Sequence, residues 1–254
     1  MKWLFITLIL MTWTSCQKKG KEDRAAACRP PPKVRICDLE AFAAKTGVNV
    51  SKPGYEPAEI MYRHATMLNK VAIDEAMARY KKRNPGCAIP KPVSNKSVKN
   101  PFCPNIEHFT SDQLYALKTA VVIHKRAPNW WNVIPDCPCS EVGIPPGWFG
   151  EPAKQEYHPG ATTCYRSPPA GAEDLMAAGL DPKLLSPGQQ CCYDESKKLI
   201  TKGPAAGTPD LFAPVDDSSI AGHTRVDVEL FKTLGHKTYV MYWPPNKGAK
   251  CPEN

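Results

Sequence analysis

Apolar residues recur at helical spacing in three stretches of the first half of the chain. Asp38-Leu39-Glu40-Ala41-Phe42-Ala43-Ala44-Lys45 reads as a short helix with Asp38 at its N-cap and Gly47 beyond its end. From Pro57 to Arg83, the positions Ile60, His64, Met67, Leu68, Val71 and Met77 keep an approximate helical period and predict the longest helix. Lys81-Lys82-Arg83 suits the negative end of its dipole, and Asn84-Pro85-Gly86 stops it. Thr110 and Gln113 have capping-box spacing and open a third helix, with Leu114, Leu117, Val121 and His124 toward the core and Pro128 at its end. Residues 88–105 and 203–219 show no period and read as loops. After Asn129 the elements shorten. Gly188 to Asp194 and Lys198 to Thr201 predict two strands joined by Glu195-Ser196-Lys197, and Val226 to Phe231 and Thr238 to Tyr242 predict two more. The pattern is that of an α+β protein, N-terminal helices followed by an antiparallel β-rich half.

Composition adds a compartment. Hydrophobic residues make up 42% of the 254 and there are 27 prolines, so the cores are modest and loops many. Met1-Lys2, the apolar run Trp3 to Met11 and the small pair Thr14-Ser15 form an export signal too short to span a membrane. Cys16 follows directly and resembles the lipidated cysteine of a bacterial lipobox, with Trp13 where Leu is usual. Plain secretion is the alternative. Gln17-Lys18-Lys19-Gly20-Lys21-Glu22-Asp23 is similar to the export signals of Bacteroidota surface lipoproteins. The expected layout is a signal peptide over 1–15, a tether over 16–35, a helical region over 36–100 and a β-rich domain over 101–254. The expected location is the outer membrane or cell surface, held through lipid on Cys16, with a periplasmic or secreted protein as the alternative. A formal charge of +8 carries no arginine-rich stripe or aromatic nucleic-acid motif, so no nucleic-acid partner is expected.

Setting Cys16 aside leaves ten cysteines: Cys28, Cys37, Cys87, Cys103, Cys137, Cys139, Cys164, Cys191, Cys192 and Cys251. An even set in an exported chain reads as up to five disulfides, whose pairing the sequence leaves open. Cys191 and Cys192 are constrained further. Adjacent α-carbons lie about 3.8 Å apart, short of the usual disulfide range, so the two do not bond to each other. In a strand their side chains point to opposite faces, and each ties the segment to a different neighbour.

Catalytic and metal motifs are sparse. There is no G-x-S-x-G or H-E-x-x-H. Cys137-x-Cys139 and Cys191-Cys192 lack zinc-ligand spacing, and no metal or cofactor is expected. Asp216-Asp217 reads as a solvated turn. His64 and His124 read as core or boundary histidines. His223 and Asp227 stand four apart and, with Asp210, form the one candidate acid/base cluster. Trp130, Trp131, Trp148, Tyr242 and Trp243 are candidates for an aromatic binding face.

Cys137-Pro138-Cys139, the segment from Pro159-Gly160 to Cys164-Tyr165-Arg166-Ser167, Gly188-Gln189-Gln190-Cys191-Cys192-Tyr193-Asp194, Gly207-Thr208-Pro209-Asp210 and His223…Asp227-Val228 together resemble the AMOP domain, over roughly residues 128–245. AMOP is an extracellular, cysteine-rich module of adhesion-associated proteins. The chain departs from it after Val228, where further cysteines are common. The resemblance implies an interaction module that binds a protein or glycan, brings no active site, and places Cys137, Cys139 and Cys164 among the possible partners of Cys191 and Cys192. The alternative is a secreted hydrolase or zinc-dependent enzyme with its site near His223, Asp227 and Asp210. Disulfides standing in for a large core make stability depend on oxidation. Reductant is expected to lower the melting temperature strongly, and equal values with and without it would contradict the disulfide framework.

Overall fold

The computed structural model describes residues 28–89, 93–95, 103, 108–248 and 251. The helices of the first half form where their caps place them. Helix α1, Leu39–Thr46, starts where the Asp38 carboxylate accepts from the Ala41 amide, and it stops at Gly47 in the left-handed region. Helix α2, Pro57–Arg83, begins on a proline whose missing N–H costs nothing in the first turn. Helix α3, Ser111–Arg126, opens on a capping box: Thr110 Oγ1 accepts from the Gln113 amide, and the Gln113 side chain accepts from the Thr110 amide. It buries Ala116, Leu117, Ala120 and Val121 along one stripe.

The contacts divide the chain into two units, neither continuous in sequence: Met1–Cys37 with Asn69–Pro101, and Asp38–Leu68 with Phe102–Asn254. The boundaries fall after Cys37, inside α2 after Leu68, and after Pro101. In the smaller unit, part of the stretch expected as a tether is firmly bonded. Strand β1, Lys33–Arg35, pairs in parallel with β2, Val93–Asn95, which lies in a segment expected as loop. Cys28 is bridged to Cys87. The Asn69 side chain accepts from the Cys37 amide and donates to the Cys37 carbonyl, while the Tyr80 hydroxyl donates to the Arg29 carbonyl. Residues 1–27, where the signal peptide and the lipidated Cys16 are expected, lie outside the described residues.

The larger unit holds a four-stranded antiparallel sheet in sequence order: β3 (Phe149–Pro152), β4 (Thr163–Arg166), β5 (Gly188–Tyr193) and β6 (Pro209–Asp210). All six residues of β5 are buried. Its adjacent cysteines do diverge. Cys191 bonds Cys137 on one face, and Cys192 bonds Cys164 directly opposite on β4. Cys139–Cys251 closes a loop of 112 positions, and Cys37 and Cys103 are disulfide-bonded as well. Gly207 passes so close to β5 that a Cβ there would lie 2.2 Å from the Gln190 carbonyl oxygen, which excludes any side chain.

The segments expected as strands after residue 225 are helical. Helix α5, Asp217–His223, runs through a π-turn, Thr224–Val228, into α6, Glu229–Leu234, and α7, His236–Tyr239, follows. Val226-Asp227-Val228 alternates like a strand, but Val226, Leu230 and Leu234 are all buried at four-residue spacing. That stripe packs on α3, and the packing overrides the β-branched local preference. The core joins Ile60 and Met61 of α2, Leu117 of α3, Leu175 of α4 (Ala172–Ala177), Leu211, Leu230 and the Trp130–Trp243 ring pair. Asp216, read as a solvated turn, caps α5 through the Ser219 amide. No helix among the described residues is long and apolar enough to cross a membrane.

His64 is 4% exposed, its Nδ1 has no hydrogen-bond partner, and burial lowers its pKa to about 4. The folded chain therefore refuses a proton that the unfolded chain takes up below about 6.5. Stability is expected to fall as pH drops from about 6.5 to 4 and then level off, with His64 contributing on the order of 3 kcal/mol. His64→Gln is expected to flatten that slope in urea titrations at several pH values; an unchanged slope would count against it.

Candidate functional site

Side chains alternate along a strand, so the register of β3–β6 selects one set for a shared face. Phe149 and Glu151 pair with Arg166 and Cys164, these pair with Gln190 and Cys192, and Asp210 pairs beside them with Gly188. The facing wall is the α5–α6 helical run, where His223, Asp227 and Phe231 recur at four-residue spacing. Between the two walls lies a cavity of about 660 Å³. Tyr157, Phe231 and Tyr239 form an edge-to-face run of rings along it, and Phe149, Val215 and Ile220 stand exposed around it.

Asp227 anchors this arrangement. Its Oδ1 accepts from the Leu211 amide at 2.9 Å and from Trp243 Nε1 at 3.1 Å, and its Oδ2 accepts from the Phe212 amide at 3.1 Å. One buried carboxylate thus gathers the chain leaving β6, the helix that carries it and the C-terminal tryptophan. Its Oδ2 also lies 3.4 Å from His223 Nδ1, and Asp210 Oδ2 lies 3.8 Å from that same nitrogen.

The charged row continues along the sheet. Arg166 pairs with Glu151 through Nη1, and its Nε lies 3.9 Å from Asp210 Oδ2. Burial pushes the Asp210 pKa up to about 7; Asp227 and Glu151 reinforce the shift, while His223 and Arg166 oppose it. Burial opposes the charged form of His223, but the neighbouring Asp210 and Asp227 outweigh it and raise its pKa. His158 goes the other way: burial, helped by the Arg166 charge, lowers its pKa to about 4 and keeps it neutral. His158 also lies beside Cys164 and Cys192, but those sulfurs are bonded to each other and are not metal ligands.

The residues singled out in the sequence fare differently. Asp210, His223 and Asp227 come together. The aromatic set does not form a face: Trp130, Tyr242 and Trp243 are buried in the core, half-buried Trp131 packs against that core, and Trp148 covers the Cys137–Cys191 cluster. Trp and Tyr sit inside because the small core uses their area and, for Trp243, because Asp227 meets the indole N–H. Glu151, His158, Arg166 and the rings of the cavity escaped notice. For Arg166 alone, parity with Cys164 carried the signal, since every second residue of a strand shares a face.

Residues 120–211 match the family profile described as the AMOP domain. The match includes the sheet wall of the cavity and ends short of His223 and Asp227, which the sequence resemblance had taken in. No solved structure matches the chain. AMOP is an extracellular, adhesion-associated, cysteine-rich module, and the match together with the disulfides marks the chain as carrying an extracellular interaction module.

Replacing Asp227 with Ala strands three donors at once. Asp227→Ala is expected to cost roughly 3 kcal/mol or more, and Trp243→Phe about 1–2 kcal/mol. Urea unfolding midpoints measure both, and an Asp227→Ala midpoint equal to that of the parent would refute the anchoring role.

Proposed function

We propose that the chain is an exported, lipid-anchored surface protein whose AMOP-like domain holds the end of a glycan chain in the cavity between the sheet and the α5–α6 run. The cavity itself carries the reading. Its volume falls in the range of small-ligand sites, about 300–1,000 Å³. Its rings, Phe149, Tyr157 and Phe231, supply flat apolar surfaces for the C–H faces of a sugar. Glu151, Arg166, Asp210 and His223 place donors and acceptors in one row, suited to neighbouring hydroxyls. Two disulfides on β5 hold the sheet wall formed before the ligand arrives, which lowers the ordering cost of binding. The anchor reading rests on the signal-like residues 1–15 and on Cys16. A protein partner is the other occupant of the same module, and a screen against matrix proteins and glycans separates the two.

A hydrolase is the second reading, favoured by the convergence of Asp210, His223 and Asp227 at the cavity wall. Release of reducing ends from a bound glycan would support it over binding alone.

Phe149 is 61% exposed, so its removal leaves the fold intact. Phe149→Ala is expected to weaken glycan affinity about tenfold in calorimetry. Glycan binding that is indifferent to Phe149→Ala and Phe231→Ala, or a protein ligand that binds both variants normally, would move the function away from this cavity.

A further inference from the structure

Two buried carboxylates and an imidazole nitrogen meet on the cavity wall. His223 Nδ1 lies 3.4 Å from Asp227 Oδ2 and 3.8 Å from Asp210 Oδ2, one ligand atom from each of the three residues falls within 4.8 Å of the other two, and the buried nitrogen makes no hydrogen bond. The Asp210 side chain is only 4% exposed, yet it accepts no hydrogen bond from a side chain or amide among the described residues. The nearest arginine nitrogen, Arg166 Nε, stands 3.9 Å away and is itself without a hydrogen-bond partner. Arg166 is engaged with Glu151, and the lysines that line the cavity, Lys154 and Lys232, are exposed. Two buried carboxylates and an imidazole therefore share a small volume in which no hydrogen bond meets the Asp210 carboxylate, an unfavourable arrangement unless a proton or a metal cation sits among them.

We propose that Asp210, His223 and Asp227 bind one divalent transition-metal cation of zinc's class, with a coordination position open to the cavity. The spacing fits. Ligand atoms about 2.0–2.1 Å from a tetrahedral ion lie about 3.3–3.4 Å from one another. The His223–Asp227 separation already has that value, and Asp210, tied by no hydrogen bond, closes the remaining gap by a small side-chain shift. The donor set fits as well: imidazole nitrogen with two carboxylates suits zinc, whereas calcium and magnesium take oxygen alone. Three protein ligands with a fourth position open is the pattern of zinc sites that meet an exogenous ligand. The Leu211 and Phe212 amides and the Trp243 indole fix the Asp227 carboxylate, as the partners behind metal ligands do. The site concerns the cation alone and does not depend on the glycan reading.

The test uses the full-length, oxidised protein freed of metal with a chelator. Titration with zinc alone by calorimetry, and with cobalt alone by visible absorption, is expected to show one equivalent bound and the bands of a low-coordinate cobalt centre. Asp210→Asn and His223→Gln are each expected to weaken zinc roughly tenfold or more, while His236→Gln, on the same cavity wall, leaves it unchanged. Asp210→Asn keeps the side chain's size and loses no hydrogen bond, so its own metal-free melting temperature is the baseline against which loss of the zinc-induced rise is read. Two results would overturn the site: no binding at millimolar zinc, or equal binding by Asp210→Asn and the parent. Either would leave a shared proton as the occupant. Failure to bind glycan leaves the zinc titration unaffected, so the two readings fail separately.

Discussion

The Asp227 carboxylate is the interaction on which the larger unit depends. A buried carboxylate without donors is costly, and a carboxylate with three is a strong local organiser. Here the donors come from separate parts of the chain: two consecutive amides at the end of β6, and an indole sixteen residues beyond the aspartate. The three can be satisfied together only if the helical run lies over the open end of the sheet. That placement brings His223 over Asp210 and sets the depth of the cavity. The acid that holds the fold and the acid that lines the site are the same residue, so the geometry of the site inherits the rigidity of the core.

The sheet supplies the other half of the constraint. Cys191 and Cys192 fasten β5 on both faces, and the face of Cys192 and Cys164 is the one that continues through Arg166, Gln190 and Asp210. A covalent cross-strand bond beside the charged row fixes the relative height of β4 and β5. The Glu151–Arg166–Asp210 series then needs little hydrophobic area of its own to stay aligned, which suits a chain with modest cores.

How much of this was legible in the sequence follows from where each signal resides. Asp38, Gly47, Thr110 and Gln113 act within one helical turn, so the caps could be read directly. The divergence of Cys191 and Cys192 follows from strand geometry alone. Val226-Asp227-Val228 misled because its alternation is local while its decisive partners, on α3, are about a hundred positions away. His223 and Asp227 could be paired by spacing even with the wrong element assigned, since four residues apart is one turn. The tryptophans could not be placed, because an anchor for a ligand and an anchor for the core have the same composition, and only the Asp227 acceptor decides for Trp243. The tether was drawn too long because Asn69 and Tyr80, which hold the backbone at Cys37 and Arg29, carry no mark of it in the sequence.

The back-to-back cysteines of β5 also set a condition on biosynthesis. A slip of one residue in the β4–β5 register would carry Cys191 to the face of Cys164 and turn Cys192 toward Cys137, and the wrong pairs would close as readily as the right ones. Oxidation that outruns strand pairing therefore seals an inverted strand, with Arg166 and Gln190 no longer sharing a face. Correct bridging thus requires the β4–β5 register to be set before these two bonds close, or a misplaced bond to be exchanged by thiolate attack.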